Sequence, residues 1–306
     1  MASLQSLAVR LDPTAAAIDK ALYGYVPDKS VAIIFLVLFG ISTTLHVVQA
    51  TYYRMWWFFP TACLCGIGEL IGWSGRLWSA ISPAVNPFLM QISATILAPT
   101  PLLAVNFIIL SRLIHRLGVA YSWLSPIWYT IIFLSCDFIA LAVQGVGGGM
   151  ASNAIYNLPA ANRGAHIMLG GIIFQFVVIM GYSSLAADFF RRYLQDLPAQ
   201  SVSTPRGVLT TRLKIMFGAL IFSTALLFIR SIYRIIELST GWTGRIITTQ
   251  VYFNVLDGAM ILLAMFTVNF AHPGLLLRPA HTEPTPVKGV QNYDMQSVEG
   301  SEARIL

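Results

Sequence analysis

The sequence predicts an all-α integral membrane protein: a bundle of seven transmembrane helices with the N-terminus outside and the C-terminus in the cytoplasm. Three observations carry this. Hydrophobic residues make up 56% of the 306 residues and charged residues only 10%, with a mean hydropathy of +0.70. A soluble domain carries about 25% charged residues, so this chain lacks the polar groups to cover a water-facing surface, and a soluble enzyme is excluded. Seven apolar runs reach the roughly 20 residues that a helix needs to cross a bilayer core of about 30 Å. Finally, the charges gather at the ends, with six in residues 1–30 and seven in residues 273–306.

Taken in order, residues 1–30 form an extracellular segment holding Arg10, Asp12, Asp19, Lys20, Asp28 and Lys29. It has no uncharged apolar stretch of signal-peptide length, so no cleaved leader is expected. The runs then fall at 31–50, 57–80, 88–111, 124–146, 165–190, 213–236 and 249–271. They are too long for barrel strands and do not alternate with period two, and a helix satisfies its own backbone in lipid. The second run reads CGIGELIGWSG, and its Gly68 and Gly72 offer a small-residue face for a neighbouring helix. Pro99 and Pro101 sit inside the third run and should kink it. GVGGGMAS after the fourth run reads as a flexible outer turn; it lacks the Lys-Ser/Thr and the preceding strand of a phosphate loop. Residues 31–272 form the membrane domain, and the four-proline stretch 273–306 reads as a disordered cytoplasmic tail.

Orientation follows from lysine and arginine. With the N-terminus outside, the inner loops hold Arg54, Arg112, Arg116, Arg191, Arg192, Arg206, Arg212 and Lys214, against Arg163, Arg234 and Arg245 outside, a ratio of 8 to 3. Trp56, Trp57, Trp123, Trp128 and Trp242 fall near predicted ends, as an aromatic belt requires. The net charge of +6 lies in these loops and points to anionic headgroups rather than nucleic acid. Cys63, Cys65 and Cys136 lie in apolar runs and read as small core residues.

A charge at mid-bilayer costs about 2.5–3.5 kcal/mol on insertion scales, so each one asks for a reason. The candidates for an intramembrane polar network or substrate site are Glu69, Arg76, Gln91, Asp137, Gln144, Gln175, Arg230 and Asp257. Glu69 and Arg76, Asp137 and Gln144, and Gln250 and Asp257 are each seven residues apart, which returns a helix to within about 20° of the same face. In the N-outside orientation, Arg76, Gln91, Gln144, Arg230, Gln250 and Asp257 lie in the outer half, with Glu69, Asp137 and Gln175 near the middle. These residues predict a polar cleft narrowing inward, with Arg76 or Arg230 paired to Asp257. A buried structural network, a ligand or transport path and proton-coupled chemistry all fit this pattern.

The motifs resemble those of the fungal lipid-translocating exporter family, the seven-helix RTA-like proteins linked to aminocholesterol resistance. ELIGWSGR is similar to the family's Glu-x-x-Gly-Tyr-x-x-Arg, giving Glu69, Gly72 and Arg76, with Trp73 in place of tyrosine. Gln91 and LAP ending in Pro99 follow, then CDFIALAVQGVGGG with Asp137, Gln144 and Gly147 to Gly149, and GGIIFQ with Gln175. RSIYRIIE supplies Arg230, Arg234 and Glu237, and the last run carries Asp257 and then HPG at His272 to Gly274. The family often has Glu seven residues before that Asp; here Gln250 stands there, and Asn254 replaces a common tyrosine.

The resemblance implies an exporter or translocator of lipid-like amphipathic molecules in the plasma membrane, such as sphingoid bases, sterol-like toxins or hydrophobic metabolites. It implies no enzyme activity, and no cofactor or metal is expected. On this reading Glu69, Asp137 and Asp257 attract a cationic amine headgroup while Arg76 and Arg230 balance charge, and the partners are membrane lipids or the small amphipathic substrate. The alternative is a seven-helix sensor or receptor for a lipid-like ligand. Against that, SRLIHR ends the third run without an Asp/Glu-Arg-Tyr switch, and no Asn-Pro-x-x-Tyr closes the seventh. The oligomeric state and energy source are left open by the sequence.

Overall fold

The computed structural model describes residues 23–153, 158–200, 206–240 and 245–277. Every regular element among them is helical. Helix α1 (Lys29–Tyr52) opens where the Asp28 side chain accepts from the Ser30 amide at 2.8 Å, an N-cap that satisfies one free donor. A 3₁₀ turn (Trp56–Phe58) and a π turn (Phe59–Cys63) run into α2 (Leu64–Ile81). Then come α3 (Val85–Leu97), α4 (Pro99–Leu117), α5 (Pro126–Asn153), α6 (Leu158–Gln195) and α7 (Thr211–Ser239). The last span is α8 (Gln250–Phe253), a second π turn (Asn254–Ala259) and α9 (Met260–Phe270), followed by the short α10 (Pro273–Leu276).

Among the described residues, six helical stretches are long and apolar enough to cross a membrane: Lys29–Tyr52, Val85–Leu117, Pro126–Ser152, Pro159–Gln195, Thr211–Ser239 and Gln250–Leu276. The run at 57–80 is just as helical, but Glu69, Arg76 and Gly66, Gly68, Gly72 and Gly75 dilute its apolar character. Sequential helices are neighbours, α9 returns to pack on α1, and α4 lies at the centre against α2, α5, α6 and α7. Its apolar residues are buried almost all round, from Leu102 to Leu117. The outer helices are inverted relative to a soluble protein. On α1, Ile33, Ile34, Val37, Ile41 and Val48 are exposed, while Ser42, Thr43 and His46 are buried. Lipid is as apolar as these side chains, so close packing and internal hydrogen bonds hold the bundle together.

Glycines set the closest approaches. A methyl group added at Gly68 would meet the Ala98 Cβ at 2.7 Å, and one at Gly72 the Thr95 Cγ2 at 2.6 Å, so α2 seats the α3–α4 junction on these two positions. The glycine run after the fourth apolar stretch differs from its expected turn: α5 continues to Asn153. There a Cβ on Gly147 would stand 2.8 Å from the Gly164 carbonyl of α6, so the glycine permits backbone contact between two helices instead of a bend.

The chain continues ordered beyond the boundary drawn at residue 272. The His272 side chain caps α10 by accepting from the Gly274 amide at 3.1 Å, and Arg116 donates to the Leu277 carbonyl. The rest of the tail, the N-terminal 22 residues and Trp242 lie outside the described residues. Trp56, Trp123 and Trp128 are exposed, as belt residues are.

Candidate functional site

Asp257 sits in the π turn of the last span, where the wider turn carries it out of the ordinary helical register. It receives two guanidinium groups from α7. Arg230 Nε donates to Oδ1 at 2.9 Å; Arg234 Nε donates to Oδ1 at 2.8 Å and Arg234 Nη2 to Oδ2 at 2.6 Å. Arg234 Nη1 also donates to Glu237 Oε2 at 2.7 Å, and the Tyr233 hydroxyl donates to Glu237 Oε1 at 2.8 Å. The two arginines and two carboxylates are all buried and sum to zero formal charge. Such a set is tolerable at depth only when each member is paired.

Pro99 shapes the neighbouring wall. It has no N–H to give the Thr95 carbonyl one turn earlier, and that open acceptor takes a hydrogen bond from Arg230 Nη2 at 2.8 Å. Arg234 Nη2 donates to the Thr95 hydroxyl at 3.1 Å. The break between α3 and α4 is thus stitched to α7 by the same two side chains that hold Asp257.

A second network lies across α4. Gln175 of α6 donates through Nε2 to Asp137 Oδ1 of α5 at 2.8 Å and to the Thr100 hydroxyl at 3.2 Å, and accepts from Gln144 Nε2 at 3.0 Å. Asp137 and Gln144, seven apart on α5, therefore do share a face. No ion pair involves Asp137 among the described residues. Between the two networks, Pro99, Gln175 and Arg230 line a cavity of about 10 Å³, room for a single water at most.

Arg76 does not reach Asp257. Its Nη1 donates to Gln91 Oε1 at 3.3 Å and its Nη2 to the Tyr25 hydroxyl at 3.0 Å. Its guanidinium lies over the rings of Phe253 at 4.7 Å, Tyr25 at 5.5 Å and Trp73 at 5.7 Å, so aromatic faces supply much of the stabilisation a carboxylate would give. Gln250 and Asp257 do not act as a stripe either, because the π turn interrupts the helical register on which seven-residue spacing depends. The outward cleft expected from the sequence is closed here over most of its length: Arg76, Gln91, Gln144, Arg230 and Asp257 turn to protein partners and are buried, while Gln250 is half-buried.

Glu69 is the exception. It is 0% exposed, and neither carboxyl oxygen has a donor in full hydrogen-bonding geometry, with the Trp73 indole N–H lying beside them. Arg230, Arg234 and Asp257 are the charged groups that act on it, yet both arginines are already engaged.

Two apolar grooves flank α7. One, of about 460 Å³, runs between α6 and α7 past Met180, Ala187, Ile221 and Phe228. The other, of about 410 Å³, lies between α7 and the last span past Ile229, Ile236, Ile246 and Leu256, with Arg245 on its wall. Both are of a size to take an alkyl chain.

A family model described as RTA1 like protein matches residues 62–280. The chain belongs to the RTA1-like family. It is 31% identical to the sphingoid long-chain base transporter RSB1 of Saccharomyces cerevisiae strain S288c, over 92% of this chain and 83% of that protein. It is 27% identical to the lipid-translocating exporter-like protein RTA1 of Leptosphaeria maculans, over 83% of this chain and 51% of that protein. It is 26% identical to protoporphyrin uptake protein 1 of Saccharomyces cerevisiae, over 80% of this chain and 89% of that protein. No solved structure matches. This RTA1-like chain is a multi-pass membrane protein.

Of the residues singled out in the sequence, Arg230 and Asp257 form one group, Asp137, Gln144 and Gln175 a second, and Arg76 and Gln91 a third, with Glu69 beside the first. Arg234, Glu237, Tyr233, Thr95 and Thr100 complete these groups without having been among the candidates. Arg230, Arg234 and Glu237 recur at helical spacing on one face of α7, a signal hidden by counting Arg234 as an outer-loop cation.

Proposed function

We propose that this protein translocates amphipathic amines of the sphingoid-base type outward across the plasma membrane and leaves them chemically unchanged. The observation that carries the reading is the pair of buried acids, Glu69 and Asp137, that have no ion-pair partner among the described residues, while the core arginines are all engaged. A site with anionic capacity to spare suits a cation arriving from outside the protein. The alkyl chain would lie in the apolar grooves beside α7. The name of the RSB1 relative supports the same cargo class.

In this reading 59–81 is the seventh span, its apolar deficit compensated because its polar groups face protein rather than lipid. The N-terminal segment lies outside and the tail inside. With Arg234 assigned to the core, the loop bias becomes 8 to 2, which supports that orientation. The test is release of a radiolabelled sphingoid base from cells with and without the gene. Faster release with the gene is expected; equal rates would refute the reading.

A further inference from the structure

Glu69 holds a buried carboxyl with no charged partner of its own and only the Trp73 indole N–H beside it, outside full hydrogen-bonding geometry, next to a charge network that is already complete. The charged groups acting on it are Arg230 and Arg234 of α7 and Asp257 of the π turn, with Cys65 one turn earlier on its own helix. Of the other helices packed on α2, α1 carries only Lys29 and His46, close to its two ends; α3 carries no charged residue; α4 carries Arg112, His115 and Arg116, all in its last two turns. Arg230 and Arg234 are matched by Asp257 and Glu237. An ionised Glu69 would therefore add one unmatched negative charge where water cannot screen it. Protonated, it keeps the site neutral but leaves its own hydroxyl without an acceptor. Neither form has a charged partner, and a cationic headgroup, with one positive charge, supplies what the ionised form lacks.

We infer that Glu69 is a proton-exchange site, so that the protein carries one proton inward for each amphipathic amine it carries outward. The inference rests on the amine-translocator reading above and adds the energy source to it. As the ammonium arrives from the cytoplasmic side, the Glu69 O–H bond breaks, its electron pair stays on the carboxylate, and the proton passes to water on that side. The ion pair replaces the neutral acid, and the sum of charges in the core does not change. When the amine leaves outward, the carboxylate takes a proton from water outside. The cycle is electroneutral, and an inward proton gradient drives it. Asp137 differs because Gln175, itself fixed by Gln144, already donates to it.

The test uses the full-length protein in vesicles, with a pH dye inside and a quaternary N-trimethyl sphingoid base as probe. This probe has no proton of its own to lose, so any proton flux belongs to the protein. The expected result is one proton counter-moved per probe molecule, and about tenfold accumulation of probe per unit of imposed pH gradient, as one-for-one exchange requires. Glu69→Gln should abolish both the proton flux and the gradient response while keeping the wild-type melting temperature. Glu69→Asp, which keeps the acid, should retain the one-for-one ratio. Probe movement without proton flux, or proton coupling that persists in Glu69→Gln, overturns this inference and leaves the translocator reading standing. No movement of probe or of a labelled primary base by wild-type protein overturns the translocator reading itself. If Glu69→Gln does not fold, the wild-type ratio and Glu69→Asp decide alone, and any ratio other than one-for-one rejects the exchange.

Discussion

Arg230 donates to the Thr95 carbonyl at 2.8 Å, an acceptor left open because Pro99 one turn later has no N–H. The same guanidinium holds Asp257 through Nε at 2.9 Å. One side chain thus joins a proline break in the third span to the carboxylate of the last span. Replacing it leaves both an unpaired carbonyl and a weakened ion pair.

Arg230→Met should therefore lose about 3–5 kcal/mol of stability, the range for breaking a buried pair. Pro99→Ala in that background restores the missing N–H and should return about 0.5–1.5 kcal/mol, the net worth of a backbone hydrogen bond. Thermal or detergent unfolding of the two single variants and the double variant checks this. No gain in the double variant would mean that the proline does not govern the carbonyl.

Asp257→Asn should lower the yield of folded protein more than any other single amide replacement among the acids, because it removes the carboxylate partner of Arg230 and one of the two that hold Arg234. Adding Arg234→Gln should recover part of the loss. Strict additivity of the two losses in the double variant would argue against the pairing.

Within one glycine run, position decides the outcome. Gly147→Leu should destabilise by about 1–3 kcal/mol through overpacking against α6. Gly149→Leu, where an added Cβ meets nothing within 4 Å, should stay close to wild type. Melting temperatures of the two variants make the comparison, and equal losses would contradict the α5–α6 contact.

The N-terminus should face outside. A glycosylation acceptor engineered near Thr14 should be modified, against a native sequence with no Asn-x-Ser/Thr. Modification only at an acceptor placed in the C-terminal tail would reverse the topology.

What the sequence revealed follows from the regularity of the α-helix. Apolar length located the six membrane-length helices, and the seven-residue spacing of Asp137 and Gln144 put them on the face where both reach Gln175. Where backbone geometry departs from the ideal helix, that arithmetic stops. The π turn at Asn254–Ala259 alters the register between Gln250 and Asp257, and the carbonyl opened by Pro99 carries no side-chain signature at all. Arg234 falls inside the 213–236 run yet near its outer end, where the loop count takes it for a headgroup cation; on α7 it is 1% exposed in the core because Asp257 and Glu237 hold it there. Gly147 was read for flexibility when its role is close contact, which depends on a partner helix that the local sequence does not specify.

The most direct test of the cation-site account is release of a radiolabelled sphingoid base from cells expressing wild type, Glu69→Gln or Asp137→Asn at matched surface levels. Each amide keeps the shape of its acid and removes only the charge. The account predicts that both variants fold and reach the surface normally, yet release base no faster than cells without the gene. Wild-type release rates from well-expressed amide variants would contradict it.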